Sequence, residues 1–462
     1  MKEIVALFVE PKIDYPNPVP NTGMHLGLLQ IATAVKKSIS NIKPVFWSEQ
    51  ICLCASYVKR RTTECFKDII IKTSPKYCFI SALSCQINRA SELCREAHNL
   101  GVQIVVLGGV FASFAGKINA PVLSDFDYIV SGSNLNSCVD IIHAIESKIS
   151  IERIIDSDTK CANKISPFSL LPDYSIFPNE IAVDLQLPAV IELSRGCNNN
   201  CKFCTLIEHS RGVVYNSATN LAYQEKTLLD LGYKKAIICD DTFLLDEKVC
   251  ISQLDKMRNT SQTGLSKIVM TRVDIINKRT VELFKEYNIS EVVIGVEHID
   301  ASILESMNKT RNAIAWKNKV KEALRLLSDY GIVSHPIYML GWSGETEYTL
   351  NELVDFAINN GQRECVQPFV SFVTPHPGSY LWFHRKDFGI NLFPASLMSY
   401  THLSPVSYPI TLGNKDTAIE ILVEAHNAIR TETGVNKRNP IIDINKPYIK
   451  GSINELLIWD GD

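Results

Sequence analysis

Short apolar runs recur along the first part of the chain, each followed by a turn or an amphipathic stretch. Ile4 to Val9 reads as a buried strand, followed by a Pro/Asn-rich loop from Pro11 to Pro20 and a helix around Leu26 to Val35. Val45–Trp47, Tyr77–Ala82, Ile104–Leu107 and Tyr128–Val130 are further strand candidates. Helices are predicted over Asn88–Leu100, closed by Gly101, and over Cys138–Ser147. Short buried strands alternating with helices predict an α/β, doubly wound parallel sheet over residues 1–148. Residues 149–186 carry Pro167, Pro172-Asp173-Tyr174 and Pro178 and read as a linker. The alternation then returns over 187–390. The apolar run Leu187–Leu193 is followed by strand candidates Ala236–Cys239, Lys267–Thr271, Glu291–Ile294, Ser334–Leu340 and Val366–Val373. Helices such as Thr280–Tyr287 and Asn318–Tyr330 lie between them, giving six βα units. The remainder, 391–462, has a Pro/Ser/Tyr-rich stretch (Leu392 to Leu412), a helix over Asp416–Thr431 and an irregular end from Asn439.

Composition narrows the setting. The chain has 462 residues and a net charge of −3, so nothing general attracts it to nucleic acid or an anionic membrane. The start, Met1 to Glu10, is too short to span a bilayer and lacks a signal-peptide cleavage pattern. No later apolar run approaches a spanning length, and the expected location is the cytoplasm. Fourteen cysteines suit a reducing compartment. Three of them fall within eight residues, Cys197-Asn-Asn-Asn-Cys201-Lys-Phe-Cys204, just after the Leu187–Leu193 run. Thiolates are soft ligands, and a set of three leaves a four-iron cluster with one iron open.

The three-then-two spacing resembles the signature of the radical SAM superfamily. That resemblance implies a 4Fe–4S cluster held by Cys197, Cys201 and Cys204, with S-adenosylmethionine (SAM) on the open iron and Phe203 near the adenine. It continues in register downstream. Asp240-Asp241-Thr242-Phe243 is similar to the family's Asp-x-x-Phe, Gly295-Val296-Glu297 to its Gly-(Ile/Val)-Glu turn, and Met307-Asn308-Lys309 to Leu-Asn-Lys. Gly344-Glu345-Thr346 and Thr374-Pro375-His376-Pro377-Gly378-Ser379 match two later elements, and six βα units resemble the family's partial (β/α)6 barrel. Chemistry in such barrels sits at the carboxyl ends of the strands. There Arg272 is expected to grip the SAM carboxylate with two prongs, and Glu297 and Asp240 to receive ribose hydroxyl or ammonium hydrogens. Tyr338 is a candidate for facing substrate. His298, His335 and His376 stand near strand ends but read as structural. Tyr400, His402 and Tyr408 either face substrate or pack.

The first domain resembles the Rossmann-like cobalamin-binding domain that precedes many radical SAM barrels. Gly27-Leu28-Leu29, Ser81-Ala82-Leu83-Ser84, Gly108-Gly109-Val110 and Asp127 to Gly132 carry the likeness. It implies cobalamin against Gly27, Leu28, Ser81, Ser84, Gly108, Gly109 and Gly132. No Asp-x-His-x-x-Gly offers a histidine to cobalt, and Gly132-Ser133-Asn134-Leu135 stands where relatives have Gly-Glu-Gly-Glu. The implied activity is carbon methylation of a peptide or small-molecule substrate through a 5′-deoxyadenosyl radical and methylcobalamin, with flavodoxin or ferredoxin as electron donor. The alternative is a non-methylating rearrangement, cyclisation, epimerisation or methylthiolation-like transfer on the same architecture. For the last, Cys52, Cys54, Cys78 and Cys85 are the candidate second-cluster ligands.

Overall fold

In the first half of the chain, short apolar runs that end at Ser48, Ser81, Gly108 and Ser131 become parallel strands. The computed structural model describes residues 3–13, 24–59, 63–114, 120–132, 134–156, 168–208, 212–259, 264–392 and 407–434. Most of the Pro11–Pro20 loop, Ser133, Tyr400, His402 and the end from Asn439 lie outside those residues. The chain forms two compact units. One contains the described residues up to Val190 together with Thr227–Tyr233; the other contains the described residues of Ile191–Lys226 and those from Lys234 to Gly434.

In the first unit six parallel strands lie in the order β2-β1-β3-β4-β5-β6. They are β1 (Ile4–Glu10), β2 (Ile42–Ser48), β3 (Tyr77–Ser81), β4 (Ile104–Gly108), β5 (Tyr128–Ser131) and β6 (Ile154–Asp156). Helices α1 (Leu26–Ser38), α2 (Glu49–Lys59), α3 (Phe66–Thr73), α4 (Ile87–Asn99) and α5 (Ser137–Glu146) connect them. The core runs through Phe8, stacked on Phe79 at 5.1 Å between ring centroids. Strand order reverses between β1 and β3, which makes their carboxyl ends the switch point where sheets of this kind bind ligands. The stretch expected as a linker, 149–186, differs from that reading. Its Ile154–Asp156 pairs with β5 as a sixth strand, and its described residues belong to the first unit.

The second sheet runs β14-β13-β12-β11-β10-β7, six neighbours in chain order. These are β7 (Ala189–Ile191), β10 (Lys235–Ile238), β11 (Ser266–Arg272), β12 (Ile289–Glu297), β13 (Val333–Leu340) and β14 (Phe369–Phe372). A small ribbon, β8 (Ser194–Arg195) with β9 (Val214–Tyr215), follows the first of them. The covering helices include α6 (Trp316–Asp329) and α7 (Glu347–Gly361). Trp316 donates its indole N–H to the Val296 carbonyl at 3.1 Å, and Phe356 meets Tyr338 edge-on. The opposite face is uncovered in part: Met270 is 45 % and Phe369 36 % exposed. A partial barrel results, with helices outside and a lined inner face. In the tail, β15 (Ile390–Leu392) pairs antiparallel with β16 (Ser407–Pro409), and α8 (Lys415–Glu432) packs on α7 and β14. Among the described residues no helix is long and apolar enough to cross a membrane.

Candidate active site

The loop bearing the three cysteines is fixed by the strand ends around it. Asp240, just past β10, is buried and takes the Leu193 N–H at 2.7 Å on one oxygen and the Ser194 hydroxyl at 2.6 Å on the other. Burial pushes its carboxyl up to about 7, against the pull of those hydrogen bonds. Asp241 takes the Gly196 N–H at 2.6 Å. Gly196 sits at φ 109°, and a Cβ there would lie 2.0 Å from the Gly212 carbonyl oxygen. Only glycine lets the β8–β9 ribbon close at this point. Buried Gln253 donates to the carbonyls of Leu193 and Asn216 at 3.0 and 2.7 Å. From the other side, Met307-Asn308-Lys309 clamps the loop: Lys202 donates its N–H to the Met307 carbonyl, and Asn308 donates its side-chain amide to the Asn200 carbonyl at 2.8 Å.

The thiols differ in their surroundings. Cys201 is buried, and the Arg272 Nη1 lies 3.8 Å from its sulfur. Burial raises this thiol, partly offset by the nearby Lys309 and Arg272 cations. Cys204 is half-buried, and desolvation pushes it up to about 12. Cys197 is half-buried, with Asn199 Nδ2 at 3.3 Å and Thr242 Oγ1 at 3.4 Å from its sulfur. Among the described residues no three ligating side chains converge as they would on a single ion. A four-iron cluster gives each protein thiolate its own iron. Hydrogen-bond donors and cations directed at the sulfurs suit the excess negative charge of such a cluster.

Beside Cys201 lies a buried polar cluster. Glu297 ends β12 at φ 64°, an uncommon backbone for a side-chain-bearing residue, after an irregularity in the β12–β13 register. Its Oε1 accepts from Lys309 Nζ at 2.9 Å, both side chains being less than a tenth exposed. Gly295 makes room for this pair, since a Cβ there would stand 2.7 Å from each of the two bonded atoms. Lys309 Nζ also lies 5.9 Å from the centroid of the Phe203 ring. Phe203 packs edge-on against Trp342 at 6.2 Å, on the wall formed by Ile303, Met307 and Met339.

The structure corrects three of the expected roles. The Arg272 fork is already filled: Nε and Nη2 reach the two oxygens of Asp274 at 3.0 and 3.1 Å, and Nη2 also reaches the Lys309 carbonyl at 2.7 Å. A two-pronged grip on a carboxylate by the same edge is therefore blocked, and Nη1 alone points toward the cysteines. Asp240 has both oxygens committed to the strand exit, which leaves it a positioning carboxyl rather than a ligand for ribose. Tyr338 is fully buried on the helix side, against Phe356, and cannot face a substrate on the inner face. His298 is a buried structural residue: its Nδ1 accepts from the Asp300 N–H and its Nε2 bonds Glu345 at 3.0 Å. His335 lies near the amino end of β13, away from the thiols along the strand, and contacts Glu291. His376 is half-buried beyond β14, and Tyr408 is half-buried in β16. Asp241, Thr242 and Lys309 stand inside the quoted motifs without assigned roles, and Asp274 stands two positions past Arg272; their partners become visible only in three dimensions.

In the first unit the predicted ligand residues gather only partly. Gly108, Gly109, Ser81 and Ser84 meet where the loops after β3 and β4 are joined by the Ala82 N–H to Gly108 and the Phe111 N–H to Ala82. Gly109 is dictated by packing, because a Cβ would strike the Ala82 backbone at 2.7 Å. Gly27 is exposed at the start of α1 and Gly132 follows β5 at φ 98°. Leu28 is 2 % exposed and turned into the core, so its side chain lines no ligand edge. Of the cysteines weighed for a second cluster, Cys54, Cys78 and Cys85 are buried core thiols.

Comparison with known proteins agrees with this geometry. Residues 191–357 match the radical SAM superfamily. An uncharacterized methyltransferase of Pyrococcus horikoshii is 23 % identical over 425 residues, covering 88 % of this chain and 88 % of that one. The ribosomal protein uS12 methylthiotransferase of Clostridium novyi is 26 % identical over 228 residues, 47 % of this chain and 50 % of its own length. Among solved structures, the radical SAM methyltransferase TsrM of Kitasatospora setae, with cobalamin and a 4Fe–4S cluster bound, superposes with a TM-score of 0.66 at 14 % identity. The match covers 96 % of this chain and 91 % of that one. Residues 191–357 thus carry a radical SAM domain, the kind of enzyme domain that works with a 4Fe–4S cluster and SAM.

Proposed function

We propose that this enzyme is a cobalamin-dependent radical SAM methyltransferase acting on a carbon of a small-molecule or peptide substrate. One observation carries the reading: a single chain joins the thiol-bearing barrel to a doubly wound unit whose carboxyl strand ends, among the described residues, present open glycines and exposed apolar side chains. A Cβ added at Gly108 would meet nothing within 4 Å, and one at Gly27 only the His25 ring at 3.9 Å. Leu83 and Val110, just past β3 and β4, are 43 % and 44 % exposed. Backbone left open by glycine beside exposed apolar side chains fits a large, mostly apolar cofactor such as cobalamin, with Gly27, Ser84 and Gly108 at its edge. The kinship with a named methyltransferase, and the fold shared with a cobalamin-containing one, support the same assignment.

When bound, the cluster and SAM supply a carbon-centred radical, and cobalamin supplies a transferable methyl group. The residues of this chain do the positioning. Cys197, Cys201 and Cys204 hold the cluster, and Arg272 Nη1 offsets the charge of the Cys201 sulfur. The Glu297–Lys309 pair mirrors the zwitterion of an amino acid: Glu297 accepts the SAM ammonium hydrogens while Lys309 turns to the carboxylate. Lys309 thereby takes the task that Asp274 denies to Arg272. Phe203, braced on Trp342, forms the apolar wall, and an electron donor such as flavodoxin or ferredoxin completes the system.

Anaerobic purification, with iron and cobalt counts and an absorbance spectrum, tests the assignment. Cobalamin bands beside an oxygen-sensitive cluster, and SAM cleavage that disappears in Cys201→Ala, are the expected results. Iron without cobalamin after cobalamin has been supplied would sink the methylation reading. Surviving cleavage in Cys201→Ala would sink the cluster assignment.

A further inference from the structure

Among the described residues, the inner face of the barrel carries a polar row, His335 with Glu291 and Lys235, that neither the cysteine loop nor the Glu297–Lys309 pair uses. In β12, Val293 stands in register with Met270 of β11 on one side and His335 of β13 on the other. Met270 and Arg272 are two apart on β11 and therefore share a face. His335 thus lies in the barrel layer directly below Arg272 on the inner face. Its Nε2 bonds Glu291 Oε2 at 3.1 Å, and Lys235 Nζ bonds the other oxygen of Glu291 at 2.6 Å. His335 and Glu291 are each about a quarter exposed, so they are reachable from the inner face. Around them that face is apolar: Ile237, Ile268, Val293 and Ile337 are half-buried, and Met270 and Phe369 are exposed.

A His–Glu–Lys row, a quarter to two-fifths exposed, interrupts this apolar wall. Glu291 accepts from both neighbours, which puts a ring hydrogen on Nε2; in the tautomer that this pairing selects, Nδ1 is the acceptor. Lys235 holds Glu291 from the other side and so fixes the orientation of the ring. We infer that His335 is the polar anchor of the substrate site, accepting a hydrogen bond from one N–H or O–H group of an otherwise apolar substrate that packs against Met270 and Phe369. The inference rests on the reading that substrate reacts inside the barrel. It narrows the substrate class to compact apolar groups bearing a single hydrogen-bond donor.

The test uses the full chain and two probes of one shape, p-cresol and p-xylene, with calorimetry as the readout. Wild type is expected to bind p-cresol saturably at one site. His335→Leu should weaken p-cresol about tenfold, as loss of one hydrogen bond predicts, and leave p-xylene unchanged or tighter. His335→Gln, which keeps a hydrogen-bond acceptor and spares the Glu291 pairing, should retain part of the p-cresol affinity. Met270→Trp, which fills the inner face, should abolish binding of both probes with the melting temperature intact. The inference is overturned if p-cresol does not bind, if His335→Leu weakens both probes alike, or if Met270→Trp leaves binding unchanged. None of these readouts requires SAM cleavage or cobalamin, so failure here and failure of the methylation assignment are separate results.

Discussion

At the scale of single residues, the site shows how burial changes what a carboxylate does. Asp240 and Glu297 are both acidic residues at strand ends in family-like motifs, yet only Glu297 sits beside a cation it can exchange for a ligand. Asp240 is spent on Leu193 and Ser194, and it predicts its own test. Asparagine can accept from the Leu193 N–H and donate to the Ser194 oxygen, whereas alanine strands both groups. Asp240→Asn should keep SAM cleavage within a few-fold of wild type, while Asp240→Ala should lose about 2–4 kcal/mol of stability, measured by anaerobic denaturant unfolding. Loss of SAM binding in a well-folded Asp240→Asn variant would return this residue to the ligand site. The sequence showed where these residues lie but not which partners they have. Arg272 illustrates the reason: its fork is taken by Asp274, two positions away, and nothing in the pattern says whether that neighbour turns toward the guanidinium or to solvent.

At the scale of elements, what was legible followed from the length of the apolar run. The strands of the first sheet announce themselves because burial on two faces demands continuous apolar sequence, and those of the second because their helix-facing positions are regularly apolar. β6 does not, since an edge strand of three residues needs only Ile154 and Ile155. The β15–β16 pair joins segments separated by a long connection, and no local signal marks such pairing. The apolar half of α2 is mixed with Glu49, Gln50, Ala55 and Ser56, which hides its period. The two-residue ribbon β8–β9 is also silent in the sequence, yet it carries the exit from β7 into the cysteine loop. Its closure depends on Gly196. In Gly196→Ala the new methyl meets the Gly212 carbonyl at 2.0 Å, and the positive φ adds strain. Iron content after anaerobic reconstitution should then fall severalfold while the far-ultraviolet spectrum stays close to wild type, because the parallel sheets do not rely on the ribbon. Full iron loading in this variant would mean that the loop is positioned by the strand ends and the Met307–Lys309 turn alone.

At the scale of the whole molecule, two buried groups of the second unit pull stability in opposite directions with pH. His426 on α8 is sealed from water and stacked on Phe372 at 5.0 Å, and burial, with Arg430 nearby, lowers its pKa to about 4. The folded state therefore binds fewer protons than the unfolded chain below the ordinary value of 6.5, and stability is lost as pH falls from there toward 4. Asp240 does the reverse: its pKa is raised from 3.8 to about 7, so the stability its protonated form gives is complete below 3.8 and is lost as pH rises through 7. Each effect is worth on the order of 3 kcal/mol at full extent. In wild type the two partly cancel between pH 4 and 7, and the melting temperature should vary little across that range. Replacing either group exposes the other. Asp240→Asn should melt progressively lower as pH drops from 6.5 to 4, while His426→Phe, which keeps the ring stack, should melt progressively lower as pH rises from 4 to 7. Parallel slopes in the two variants would show that neither side chain is titrating as its burial requires.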